Sequence, residues 1–198
     1  MMNNDVYVLV FDGFADWEPA YALAELRRSG KRNIVTLGFE ARPVVSMGGL
    51  RVLPDRALPE VIPREIGLLI LPGGDLWIEG NFPHAQLGEL LHHLETNGTP
   101  IAAICGATIA LARAGLLNDR RHTSTVPGDL GGAGPEYQGA AHYVPALAVT
   151  DRGVITASGL GSVDFAREVF HALHVFSESD EALWFNMYKH GRLPDAAD

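Results

Sequence analysis

Cysteine occurs once in these 198 residues, at position 105. A single thiol excludes an intramolecular disulfide framework, and a free one fits a reducing compartment. Basic side chains are also scarce: 15 Lys and Arg stand against 24 Asp and Glu, a formal net charge of −9. That balance repels a phosphate backbone, so nucleic acid is not an expected partner. No apolar run approaches the ~20 residues that cross a bilayer. Nor does a charged n-region followed by an apolar h-region and a cleavage pattern open the chain. The expectation is a cytoplasmic protein with no membrane partner. No Gly-x-Gly-x-x-Gly run follows the first apolar segment, which removes the dinucleotide fingerprint. Repeats and low-complexity tracts are absent too, the 22 Gly and 12 Pro being scattered as turn signals. What is present, 47% hydrophobic residues, suits one compact domain spanning residues 1–198.

The apolar residues come in short continuous runs. Residues 6–11 (Val-Tyr-Val-Leu-Val-Phe), 33–37, 68–71 and 101–104 read as strands buried on both faces. Between them lie amphipathic stretches: one enters at Pro19 and stops at Gly30, another runs over 83–97 and stops at Gly98. Two β-prone runs around Gly48-Gly49 predict a hairpin within residues 44–53, and Asp151-Arg152-Gly153 predicts a second between 146–150 and 154–157. Residues 123–125 are expected as a short strand, 126–143 as a long surface excursion, and 162–175 and 180–190 as closing helices. The order βαβ(hairpin)βαβα implies an open, largely parallel sheet with helices on both faces. Ligands then sit beyond the carboxyl ends of the strands. Three such ends, at 12–18, 72–75 and 105, are expected to converge.

Cys105 stands between the run Pro100-Ile-Ala-Ala-Ile and the small residues Gly-Ala-Thr-Ile-Ala. That pattern reads as a nucleophile elbow, in which a strand turns sharply into a helix and small neighbours such as Ala103 and Ala107 let the two approach. The helix start is expected to favour the thiolate. The alternative is a buried packing cysteine.

Four motifs in order resemble the ThiJ/PfpI family of the class I glutamine amidotransferase-like superfamily. They are Glu18 in Phe-Asp-Gly-Phe-Ala-Asp-Trp-Glu, the Leu-Pro-Gly-Gly-Asp75 loop, the Val-Ser-Met-Gly-Gly-Leu hairpin and the Ala-Ile-Cys105-Gly-Ala elbow. The resemblance covers nearly the whole chain. It implies a flavodoxin-like three-layer α/β sandwich with a mostly parallel central sheet, a homodimer, a reactive Cys105 and an acidic partner at Glu18. Burial and a neighbouring thiolate raise a carboxyl pKa, so Glu18 is expected as a proton donor or shuttle, against the alternative of an ordinary helix-capping glutamate. Asp16 reads as a cap or surface residue. The resemblance further implies oxyanion donors in the backbone N–H groups of Gly74 and Gly106.

The general base is where the chain departs from the family. Gly106 and Thr125 stand at the positions where members carry histidine. His122, three residues before Thr125, faces the other side of an extended strand unless a bulge shifts it. It is kept as a candidate catalytic residue beside the alternative of a hydrogen-bonded structural histidine, with His142 a weaker candidate. His171 and His174 lack a third ligand and His92 and His93 face apart, so neither a metal nor any other cofactor is expected. Trp77, Trp184 and Phe185 read as core or dimer contacts.

The expected partner is a small-molecule electrophile, taken by thiolate addition to a reactive carbonyl in glyoxalase or deglycase chemistry. A redox or stress protein sensing oxidation at Cys105 is one alternative, and a cysteine peptidase or amidotransferase-like hydrolase is another.

Overall fold

A computed structural model describes residues 5–193. Residues 1–4 and 194–198 of the expected single domain, which include most of the polar opening on which the absence of a leader was argued, lie outside the described residues. The strands are β1 (Asp5–Val10), β2 (Asn33–Gly38), β3 (Val44–Val45), β4 (Arg51–Val52), β5 (Arg56–Ala57), β6 (Leu68–Leu71), β7 (Ile101–Ile104), β8 (Ala148–Asp151) and β9 (Val154–Ala157). The helices are α1 (Ala20–Arg28), α2 (Leu76–Glu79), α3 (His84–Thr96), α4 (Thr108–Arg113), α5 (Ser162–Leu173) and α6 (Glu178–His190). Seven strands form the central sheet in the order β5-β2-β1-β6-β7-β9-β8. All its pairs are parallel except β8 with β9, which is the second expected hairpin. The first hairpin is present as β3 with β4, outside the sheet.

Alternation along each buried strand divides the core into two layers. Tyr7, Leu9, Leu69, Leu71, Ile101 and Ala103 point to the face covered by α3 and α4. Val6, Val8, Leu68, Ile70, Ala102 and Ile104 point to the face covered by α1 and α5, with Trp184 of α6 closing that side. Each fully buried Leu, Ile or Phe contributes about 1.5–3 kcal/mol. Both faces therefore need an apolar residue at every position, which is why these strands read as continuous runs and not as alternating ones. The expected three-layer α/β sandwich is the architecture found. No helix among the described residues is long and apolar enough to cross a membrane.

Two local expectations are corrected. Residues 123–125 form no strand; an isolated bridge pairs His122 with Tyr143 instead. Their polar side chains are occupied: the Thr123 N–H donates to Thr156 Oγ1, Thr123 Oγ1 to the Ala146 carbonyl, and Ser124 Oγ pairs with Thr108 Oγ1. Side-chain bonds of this kind replace the ladder. The 126–143 excursion is not wholly superficial either, because a 3₁₀ turn at Pro127–Ala133 buries Leu130 and Ala133 in the core.

Strand order reverses between β1 and β6. From β1 the chain winds outward to β2 and β5, then returns across the sheet to β6, β7 and β9. The carboxyl ends beside that reversal are where open α/β sheets take ligands.

Candidate active site

Four strand ends meet there. β7 delivers Cys105, which has φ +58°, a left-handed conformation uncommon for any residue but glycine or asparagine. It starts a 3₁₀ turn, Cys105–Ala107, that runs into α4. Such a turn lifts the side chain above the sheet, and Ala103 and Ala107 are fully buried where the turn closes. The Thr108 hydroxyl donates to the Cys105 carbonyl at 2.7 Å and pins the bend. The Gly106 N–H points at the sulfur.

The loop after β1 brings Glu18, only 2% exposed. Its approach is set by backbone bonds: Ala15 N–H donates to the Gly73 carbonyl at 2.9 Å, and the Gly73 N–H returns to Glu18 Oε2 at 2.5 Å. The carboxyl also hydrogen-bonds Cys105. The loop after β6 thus contributes Gly73, and the one after β9 contributes Gly159. A Cβ on Gly73 would lie 2.6 Å from Glu18 Oε2 and 2.8 Å from Cys105 Cβ; one on Gly159 would lie 3.0 Å from Cys105 Sγ and 3.2 Å from Glu18 Oε1. A side chain at 73 would force the carboxyl or Cys105 to shift, and one at 159 would press on the sulfur.

Thr125 completes the shell. Its Oγ1 accepts the Gly159 N–H at 2.9 Å, and its hydroxyl bonds the Cys105 sulfur. With a lone pair committed to Gly159, the hydroxyl proton is free for the sulfur.

Burial dominates the electrostatics of the pair. It pushes the Glu18 carboxyl up to about 7, against the Gly73 N–H and the Cys105 hydrogen bond, which favour the charged form. Burial also pushes the Cys105 thiol up, opposed by the Thr125 hydroxyl and the Gly106 N–H and reinforced by the Glu18 charge. The depressed thiol expected from a helix start is therefore corrected: α4 has only six residues and follows a 3₁₀ turn, so its dipole is small beside desolvation. Once Glu18 ionises, the thiol donates to its carboxylate, a hydrogen bond that favours the charged carboxyl and the neutral sulfur.

His122 is not part of this arrangement. It is fully buried, with Nδ1 bonded to the Arg120 carbonyl at 2.7 Å and Nε2 to the Tyr137 hydroxyl at 2.9 Å, and burial holds its pKa down. Both ring nitrogens are therefore occupied by groups away from Cys105 and Glu18. His142 lies exposed on the 3₁₀ turn Ala140–His142. Gly74 has φ +152° and packs under Phe11 and Gly13, and it is the neighbouring Gly73 whose N–H binds the carboxyl. Asp16 accepts the Ser46 hydroxyl at 2.5 Å, which seats the β3–β4 hairpin on the Glu18 loop.

Sequence reasoning missed Gly159 and the donor role of Thr125. The Ala157-Ser-Gly-Leu-Gly161 run after β9 carries the same signal as Pro72-Gly-Gly74, small residues directly after a buried strand, and marks a fourth end of the same kind.

The family model described as "DJ-1/PfpI family" matches residues 4–172. The "Uncharacterized protease YoaZ" of Bacillus subtilis is 36% identical over 196 residues, covering 96% of this chain and 92% of that protein. "Deglycase TK1284" of Thermococcus kodakarensis is 32% identical over 154 residues, 74% of this chain and 89% of that protein. The crystal structure of the DJ-1 superfamily protein Atu0886 from Agrobacterium tumefaciens superposes with a TM-score of 0.87 at 36% identity, covering 96% of this chain and all (100%) of that one.

Proposed function

Since the chain belongs to the DJ-1/PfpI family, we propose that it is a cysteine-dependent enzyme acting on small reactive carbonyl compounds, with Cys105 as nucleophile and Glu18 as proton carrier. The observation that carries this reading is the buried Glu18 carboxyl, pushed up to about 7 and hydrogen-bonded to the sulfur. A group with that pKa exchanges protons readily at neutral pH. The deglycase name of one relative is consistent with carbonyl chemistry.

For a 2-oxoaldehyde the steps balance without an oxidant. The Cys105 thiol proton passes to the Glu18 carboxylate as the sulfur pair forms an S–C bond to the aldehyde carbon, the carbonyl π pair moves to oxygen, and Glu18 then protonates that oxygen. The Glu18 carboxylate so formed takes the C–H proton from the same carbon and returns it to the adjacent one, while the hydroxyl proton on the first carbon passes to the oxygen of the second, which becomes the new hydroxyl. The product is a thioester of a 2-hydroxy acid. Water cleaves it, releasing the acid and restoring the thiol, so the net change is addition of one water. The Gly106 N–H and the Thr125 hydroxyl stabilise the thiolate as it forms during turnover.

Peptide hydrolysis fits this site less well, although one relative is named a protease. Amide cleavage needs an activated nucleophile and a proton for the leaving amine, and Glu18 is the one titratable side chain bonded to the sulfur among the described residues. A threonine hydroxyl, that of Thr125, bonds the sulfur, and it does not titrate near neutral pH.

The test is consumption of methylglyoxal and phenylglyoxal by the purified chain, with lactate and mandelate measured as products. Cys105→Ser abolishes turnover and Glu18→Gln lowers it by roughly 10²–10⁴-fold, the usual contribution of a positioned acid–base group. Wild-type rates no higher than those of Cys105→Ser would sink the proposal.

A further inference from the structure

The chain segments around the sulfur share a charge and a polarity. The segments that carry or border the Cys105–Glu18 pair are residues 13–19, 46–50, 72–77, 105–108, 124–127 and 157–161. None of them contains Lys, Arg or His, and their charged residues are Asp16, Glu18 and Asp75. A carboxylate or phosphate on a substrate thus finds no counter-ion in these segments and meets like charge, within a chain whose net charge is −9.

The same segments expose large apolar side chains. Trp17, next to Glu18, is 52% exposed; Val126, next to Thr125, 50%; Leu160, next to Gly159, 81%. Met47, 44% exposed, stands on the hairpin tip, where its N–H donates to the Phe14 carbonyl at 2.9 Å. Single exposed apolar residues need no explanation. Here, however, three of the four directly follow or precede Glu18, Thr125 or Gly159 in the chain, and no cation lies in these segments.

We infer that the site selects uncharged electrophiles with an apolar arm, aryl or branched-alkyl 2-oxoaldehydes being the class, and rejects those bearing a carboxylate or phosphate. The inference rests on Cys105 being the nucleophile. Apolar contact with the arm removes hydrocarbon surface from water and favours the bound state, while the acidic surroundings slow anions.

Two matched pairs of thiol reagents test this on the full chain without requiring turnover, and the single cysteine makes labelling unambiguous. Iodoacetamide and iodoacetate differ in charge; N-phenylmaleimide and N-methylmaleimide differ in an aryl arm. The reference is 2-mercaptoethanol under the same conditions. The expected result is an iodoacetamide-to-iodoacetate rate ratio at least tenfold above the reference, shrinking at high salt, and a phenyl-to-methyl ratio likewise at least tenfold above it. Leu160→Ser and Val126→Ser each reduce the aryl preference threefold or more, whereas Leu183→Ser on α6 leaves both ratios unchanged. Ratios equal to those of the free thiol, or a preference for iodoacetate, overturn the inference. Assays with phenylglyoxal and methylglyoxal separate the two readings. Reagent selectivity without turnover defeats the carbonyl chemistry alone; turnover of both aldehydes at equal kcat/KM with reference-like reagent ratios defeats the selection alone.

Discussion

The Gly73 N–H donates to Glu18 Oε2 at 2.5 Å across the strand-order reversal, and this bond holds the carboxyl against the Cys105 sulfur. Fifty-five residues separate donor and acceptor. The bond makes the position of a catalytic acid depend on a glycine amide, and the glycine is required for a second reason: its missing Cβ leaves the room in which the carboxyl and Cys105 sit.

Gly73→Ala is expected to cost about 1–3 kcal/mol, the range for overpacking a filled site, and to raise Cys105 alkylation at pH 7, because a displaced Glu18 carboxylate no longer holds the thiol pKa up. Gly159→Ala has a smaller effect, since its Cβ distances of 3.0 and 3.2 Å are less severe. Gly13→Ala is the control: nothing lies within 4 Å of its Cβ and only its φ of +80° is strained, so it loses about 1 kcal/mol and leaves the sulfur's reactivity intact. Urea unfolding and iodoacetamide kinetics on the three variants give the comparison.

Stability depends on pH through Glu18. Its folded pKa of about 7 lies above the ordinary 4.5, so the folded state binds the extra proton. The stabilisation is complete below pH 4.5 and is lost as pH rises to about 7, amounting to on the order of 3 kcal/mol. Glu18→Gln, neutral throughout, flattens this slope. Unfolding free energies measured from about pH 3.5 to about pH 8.5 are expected to run parallel to those of Glu18→Gln below about pH 4.5 and above about pH 7, and to fall relative to them in between. Parallel curves across the whole range would contradict the assignment.

Thr125→Val removes the hydroxyl that bonds the sulfur while keeping the side chain's shape, and leaves the Gly159 N–H without its acceptor. The alkylation pH profile is expected to shift upward by about one to two units, since a hydrogen bond to a charged group contributes roughly 1.5–3 kcal/mol. Thr125→Ser, which keeps the hydroxyl, restores most of the wild-type profile. A profile indifferent to Thr125→Val shows that the hydroxyl does not hold the thiolate.

Cys105 stores backbone strain. At φ +58° a side-chain-bearing residue is disfavoured by about 1–2 kcal/mol relative to glycine. Cys105→Gly is therefore expected to unfold at higher urea than Cys105→Ala by about 1 kcal/mol, although both are inactive. Equal midpoints would mean that the turn carries no strain.

The elements and the layers were legible in the sequence because their causes are local. Two-face burial demands uninterrupted apolar runs such as Leu68–Leu71 and Ile101–Ile104, Gly and Pro stop each element where the chain must turn, and a small-residue frame around Cys105 is what a tight strand–turn–helix junction requires. Tertiary structure alone decided which polar groups meet the sulfur. Thr125 and His122 are three residues apart in a polar segment; one reaches Cys105 and the other is tied to Arg120 and Tyr137. That choice follows from bonds to Ala146, Thr156 and Thr108 that join distant parts of the chain. The sign of the thiol shift was likewise beyond the sequence, because it depends on how far burial outweighs the hydrogen-bond donors around the sulfur, and burial is a property of the assembled loops.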